Sequence, residues 1–429
     1  MWNAADWTRI THRIDALRDE MIRMQSELTA RPALGPTNGG TGEHEKSEFM
    51  KQEMKRLGLQ LSEFKCPDSR VPAGYRPSLI GFLPGRNHKR RVWIMTHLDI
   101  VPPGPRELWK TDPYRVSVVG DRLYGRGVED NQQEMVASFH AVKALMELGL
   151  VPVADIGLVL VADEETGSHY GIDYVLKQGK NRGQSPQGLG QSPFLPGDLI
   201  IVADAGNEKG SEIEVAEKSI AWLKFQVIGR QTHASTPDKG RNAHRAGAQL
   251  MLRIDRLLHR RFQARDRLFH PPVTTAEPTK REPNVPNVNT IPGEDVFFFD
   301  CRVLPRYSLR ELLRLVKTEA RTASRELGVK VRVSTEQFEQ AAPPTRPDAP
   351  VVKALSRAVR DIYGVRTSTI GIGGGTVAAL FRRAGYPAAV WGRFCGQAHR
   401  PNEYCLVSNM TGDARVYAHV LGQDLSIHR

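Results

Sequence analysis

Two kinds of apolar pattern alternate along the chain. RRVWIMTHLDIV (90–101), IGLVLVADEE (156–165) and DLIIVADAG (198–206) are short, nearly continuous apolar runs that end in polar groups. Such runs predict strands buried on both faces. Elsewhere apolar residues recur at helical spacing, which predicts helices over 8–29, 47–58 and 131–148, the last with Met135, Phe139, Val142 and Met146 on one side. RPALGPTNGGTGE (31–43) is a loop by its Pro, Gly and Asn content. Apolar strands separated by helices predict an α/β fold with a mainly parallel sheet covered by helices. Ligands in such sheets gather beyond the C-terminal ends of the strands. Three strands here end on ligating groups: His97 and Asp99, Glu164 and Glu165, and Asp204.

The pattern changes near residue 217. AWLKFQVIGRQ (221–231) alternates like a half-buried strand, 241–262 is a strongly basic helix, and EDVFFFDCRV (294–303), 308–327 and VKVRVSTEQ (329–337) continue as strand, helix and strand. This predicts an α+β domain inserted in the larger one. The expected division is 1–216 for the first part of the catalytic domain, 217–340 for the insert, and 341–429 for the second part, with helices near 350–363, 377–384 and 409–422. A chain of 429 residues is long enough for two cores. The Gly-, Gln- and Ser-rich stretch 178–197 reads as a surface loop.

Composition changes this picture little. The four cysteines, Cys66, Cys301, Cys395 and Cys405, form no Cys-x-x-Cys pair, so they read as reduced thiols. The first twenty residues carry charges throughout and no apolar core, and no stretch approaches the roughly 18 apolar residues of a membrane span. A cytoplasmic protein is expected. The net charge of +12 raises a nucleic-acid partner, but Arg and Lys are spread along the chain without interleaved aromatics, so none is expected.

The candidate chemistry sits at the strand ends. In His97-x-Asp99, an imidazole can bind a metal through one nitrogen while a carboxylate fixes its tautomer through the other; a surface pair is the alternative. Asp130, in LYGRGVEDNQ (123–132), is either a helix N-cap or a carboxylate aimed into a pocket, where its two oxygens could bridge two ions. Adjacent acids in ADEETG (162–167) are costly after a buried strand unless a cation offsets them, or else they form a solvated turn. Neighbouring Glu residues can divide labour between metal binding and proton transfer. Asp204 adds a hard oxygen ligand, and His399 in GQAHRPNEY (396–404) adds a second imidazole from far along the chain. Two histidines and three carboxylates suit zinc first, with cobalt or manganese as substitutes.

The order HLDIVP, GRGVEDN, ADEETG, IVADAG, GRQTHASTPDKGRNA, NTIPGE, GGGT and AHRPNEY resembles the acetylornithine deacetylase, succinyl-diaminopimelate desuccinylase and carboxypeptidase G family of co-catalytic zinc amidohydrolases. The motifs run in family order from 97 to 404. The resemblance implies a zinc-peptidase-like catalytic domain with a ferredoxin-like insert acting as lid and dimerisation domain. It implies that His97 and Asp204 bind one zinc, that Glu165 and His399 bind another, and that Asp130 bridges them. Asp99 would orient His97. Glu164 would be the general base that takes a proton from a metal-bridging water and returns it to the leaving amine. His233, in GRQTHASTP, would reach the partner subunit's site and help hold the oxyanion. Asn289, Arg302, Gly375 and Thr376 match positions that hold the substrate, although Arg302 could instead pair with Asp300. Gly373 and Gly374 would, like Gly375, let the backbone approach the substrate closely. The implied reaction is hydrolysis of the amide bond of an N-acyl amino acid, of N-succinyl or N-acetyl type, by a homodimer. A dipeptidase or carboxypeptidase comes next, and a non-catalytic binding relative last.

Two features depart from the family pattern. Asn-Gln-Gln follows Asp130 where many relatives carry Met-Lys-Gly, and Asp204 stands where many have Glu. Asp at that position is found among the aminoacylase and dipeptidase branches. The stretch 178–197 looks like an insertion to which the resemblance assigns no role.

Overall fold

The computed structural model describes residues 1–181 and 193–423, so most of the expected loop 178–197 lies outside the described residues. The three apolar runs form strands Asn87–His97, Ala154–Val161 and Leu199–Val202 at the centre of an eight-stranded sheet. The order across it is Gln60–Pro67, Tyr75–Leu83, Ala154–Val161, Asn87–His97, Leu199–Val202, Ala388–Val390, Glu212–Glu217 and Ser368–Ile372. Ala154–Val161, Asn87–His97, Leu199–Val202 and Ala388–Val390 run parallel to one another. Antiparallel pairs flank them. The continuous apolar character has a direct cause: Ile156, Leu158, Val159, Leu160 and Val161 are all at most 2 % exposed. Gly157 is required by close approach, because a Cβ there would lie 2.0 Å from the Trp93 ring.

The chain forms two compact units. One comprises Met1–Val215, Thr345–Thr369 and Leu380–Arg429, and the other Ala216–Pro344 and Ile370–Ala379. The segment Ile370–Ala379 groups with the second unit, whereas the sequence reading put everything after 341 with the first. Hydrogen bonds explain this: Lys218 N–H donates to Ile372 O (2.9 Å), Arg302 Nη1 to Gly373 O (3.0 Å), and Thr376 Oγ1 to Glu217 Oε1 (2.7 Å).

In the first unit, helix Gln133–Glu147 is buried on nearly all sides, unlike the one-sided helix that the spacing predicted. Helix Val407–Leu421 packs against it. The expected helix 8–29 is two helices, Ala4–Ala16 and Arg18–Thr29, broken at Leu17. Helix Pro350–Tyr363 starts on a proline at its first turn and stops at Gly364, whose φ of 67° ends the helix without a Cβ penalty.

The second unit is a four-stranded antiparallel sheet, ordered Thr275–Arg281, Glu294–Val303, Ser219–Ile228 and Lys330–Glu339, packed with helices Ala243–Arg261 and Leu309–Leu327. Leu223, Phe225 and Val227 face its core while Trp222 is exposed, as alternation requires. Phe225 and Phe297 stack at 4.7 Å. Strand Thr275–Arg281 escaped the sequence reading because it is a polar edge strand with a register shift between Pro278 and Lys280.

All four cysteines are free. No helix among the described residues is long and apolar enough to cross a membrane.

Buried charge is concentrated near the strand ends. Arg76 is 1 % exposed and forms a bidentate pair with Glu43, which is fully buried. Its Nη1 also lies 3.4 Å from Asp163, at the head of the Glu164–Glu165 turn. Arg76→Met is expected to cost about 3–5 kcal/mol in urea unfolding, because two carboxylates are left buried without their cation. A loss below 1 kcal/mol would show that the pair contributes little.

Candidate metal centre

His97 is the last residue of its strand, and its side chain is completely buried. Its Nδ1 lies 2.9 Å from the backbone carbonyl of Asp99 and 3.5 Å from the Asp99 carboxylate. The carbonyl is thus the nearer partner that fixes the ring. The Asp99 carboxylate instead accepts the backbone N–H groups of Glu164 and Glu165, both at 3.1 Å, and ties their turn to the end of the His97 strand.

The other imidazole nitrogen faces carboxylates. His97 Nε2 lies 3.0 Å from Asp130 Oδ1 and 3.2 Å from Asp204 Oδ1. His399 Nε2 lies 3.0 Å from the second oxygen of Asp130 and 3.2 Å from Glu165 Oε2. One carboxylate therefore offers one oxygen to each histidine. His97, Asp130 and Asp204 form one group, and Asp130, Glu165 and His399 another; within each, the ligating atoms lie within 4.8 Å of one another. Asp130 has extended backbone angles (φ −110°, ψ 97°) and the regular helix begins only at Gln133, so it is no helix cap.

The electrostatics follow from this crowding. Burial opposes a charge on His97, but Asp204, Asp130 and Asp99 raise its pKa well above the ordinary imidazole value. His399 is pushed up to about 10 by hydrogen bonds to Asp130 and Glu165. Burial pulls Asp130 up, yet His399 and His97 hold it below the usual carboxylate range. Glu164 is raised well above that range by burial first, then by Asp204 and Glu165.

Divalent cations fit this donor set. Two imidazole nitrogens converge with hard carboxylate oxygens, the combination that zinc and its neighbours take. Glu165 Oε1 is buried without a hydrogen-bond partner, which is costly unless something positive meets it.

Residues that no sequence pattern singles out hold this cluster together. Arg126 pairs with Glu403, both buried, and Glu403 Oε1 accepts the N–H of Glu129 (2.9 Å) and of Asp130 (3.2 Å). Glu129 accepts the N–H groups of Cys395 and Gln397. Lys46 is 1 % exposed, and its Nζ has no hydrogen-bond partner. Burial lowers its pKa to about 7 against the raising effect of Asp99, Glu43 and Glu403. Glu129 and Glu403 stood inside quoted motifs, but spacing alone did not separate them from surface acids.

The remaining predicted residues lie in the second unit. His233 is exposed and pairs across a short antiparallel bridge with Thr290, next to Asn289, whose carbonyl accepts the N–H of Ala234 (2.8 Å). His233 Nδ1 is engaged by Ser235, 2.7 Å from its Oγ and 3.2 Å from its backbone N–H, so a ligand would meet the ring through Nε2. Arg302 is engaged by Asp300 through two bonds of 2.7 and 3.0 Å, which occupies its fork. An added Cβ at Gly373 or Gly375 would meet nothing within 4 Å, so the backbone there is open to approach.

Comparison with known proteins identifies the family of the chain. The model of Peptidase family M20/M25/M40 matches residues 93–423. An uncharacterized metallohydrolase of Methanococcus maripaludis is 33 % identical, over 95 % of this chain and 99 % of its own. A succinyl-diaminopimelate desuccinylase of Gluconobacter oxydans is 26 % identical, over 94 % of this chain and 95 % of its own. The crystal structure of a Staphylococcus aureus tripeptidase shares the fold, with a TM-score of 0.71 at 18 % identity, covering 94 % of this chain and 98 % of that one. A family match and a relative that both run most of the length of the sequence leave one conclusion: the chain belongs to Peptidase family M20/M25/M40 and is a metal-dependent hydrolase.

Proposed function

We propose that this chain hydrolyses the amide bond of an N-acyl amino acid, of N-succinyl or N-acetyl type, using two divalent cations, zinc first, with cobalt or manganese as substitutes. His97 and Asp204 would hold one, Glu165 and His399 the other, and Asp130 would serve both. The observation that supports this most is the placement of the two Nε2 atoms, each 3.0 Å from a different oxygen of Asp130. Two such cations supply Lewis-acid activation of water and of the scissile carbonyl.

The protein's own groups do the rest. Glu164 accepts a proton from the attacking water on its carboxylate and delivers it to the leaving nitrogen. Its neighbour Glu165 belongs to the ligand group while the backbone N–H of Glu164 is fixed by Asp99, which holds the Glu164 turn beside the cluster. His233, with Nδ1 engaged by Ser235, would donate from Nε2 to the oxyanion of the tetrahedral state. In this reading it serves the partner subunit of a cytoplasmic homodimer formed through the inserted domain. Asn289, Gly375 and Thr376 hold the substrate, and Arg302 positions the Gly373 turn through its carbonyl.

A dipeptidase is the second reading, favoured by the short carboxylate of Asp204. The desuccinylase relative favours the first. One screen separates them: N-acetyl, N-succinyl and N-formyl amino acids beside dipeptides, after chelation and reloading with zinc, cobalt or manganese. Turnover confined to acylated amino acids is expected. Turnover confined to dipeptides would select the second reading, and none with any metal would end both.

Loading should also release protons. Without metal, the facing carboxylates favour the protonated form of both imidazoles, since both pKa values are raised. A cation needs the lone pair that the proton occupies. Titration calorimetry in buffers of different ionisation enthalpy should find about two protons released near pH 7, and affinity rising with pH. Uptake without proton release would mean that the histidines are not ligands.

A further inference from the structure

The two neighbours of Asp130 in sequence are both fully buried, and they serve different partners. Asn131 Oδ1 accepts the backbone N–H of His97 (3.1 Å). Its amide nitrogen donates to Asp204 Oδ1 (2.7 Å) and to Ala203 O (3.1 Å). The same Asp204 oxygen faces His97 Nε2. Glu129, on the other side, gives its two oxygens to the N–H groups of Cys395 and Gln397, in the loop that carries His399.

From this juxtaposition, and resting on the ligand set proposed above, we infer that Glu129 and Asn131 are positioning residues, each dedicated to one cation. Asn131 orders His97 and Asp204, and Glu129 orders His399. The chemistry of each contact suits its task. The Asn131 amide donates to the Asp204 oxygen that faces His97 Nε2, which fixes the orientation of that carboxylate. His399 adopts φ 65°, a conformation costly for a residue with a side chain, and it persists only where the surroundings dictate it. A buried carboxylate bonded to two amides of the same loop is a strong, charge-assisted restraint.

The test is a Co2+ titration of the chelator-stripped full-length protein, followed by visible absorption, with His97→Ala and His399→Ala as references for loss of either cation. Asn131→Asp keeps the acceptor for His97 N–H but sets an oxygen against Asp204. Glu129→Gln keeps one acceptor and turns the other into a donor facing an N–H group. Asn131→Asp should weaken one cation about 10- to 100-fold and leave a spectrum matching His97→Ala; Glu129→Gln should do the same and match His399→Ala. In His97→Ala/Asn131→Asp the surviving cation should bind as in His97→Ala alone. Where Asn131→Asp does not fold, Asn131→Ala removes the donor without adding charge. Equal weakening of both cations in each variant, or no weakening in either, would overturn the inference. Failure of the unaltered protein to bind Co2+ would instead sink the ligand set on which it rests.

Discussion

Glu164→Gln should retain both cations and lose about 10³-fold in kcat. The substitution keeps size and shape and removes only the ability to take up a proton. The turn that carries residue 164 is held through its backbone N–H, which donates to Asp99, so the neighbouring Glu165 should stay in place. Metal content by atomic emission and kcat on the best substrate of the screen check the two halves separately. A variant that lost metal together with activity would make Glu164 a ligand. A variant that kept most of its turnover would place the base elsewhere.

Asp130→Ala should be more severe, because one side chain serves both histidines. Loss of a residue that merely orients a ligand costs about 10- to 100-fold in metal affinity, and loss of a shared ligand should exceed that for both cations at once. Equilibrium dialysis is expected to find neither ion retained at micromolar free metal, with hydrolysis abolished. Glu403 still accepts the N–H groups of residues 129 and 130, so the segment should keep its path. Retention of one ion at full affinity would mean that the carboxylate belongs to a single group.

Much of this was legible from the sequence because the central strands are buried on both faces. Burial forces continuous apolar runs, and those runs mark where His97, Glu164, Glu165 and Asp204 emerge. What stayed hidden depends on contacts between distant residues. Glu403 and Glu129 look like ordinary loop acids until the fold sets them against backbone amides more than 260 positions away. Thr275–Arg281 is a polar edge strand, and nothing in its composition required burial. The placement of Ile370–Ala379 followed from hydrogen bonds to residues 217, 218 and 302, which no local pattern encodes. The nearer partner of His97 Nδ1 is a carbonyl, and a His-x-Asp spacing reads the same either way.

The two histidines differ sharply in their access to water. The side chain of His97 is sealed off, whereas that of His399 is 54 % exposed. In the proposed arrangement, ions exchange with the surroundings at unequal speeds, the outer one quickly and the inner one slowly. Ordinary purification would then yield a partly filled population, short of metal on the His399 side, and fractional stoichiometry would be a property of the fold rather than a fault of the preparation.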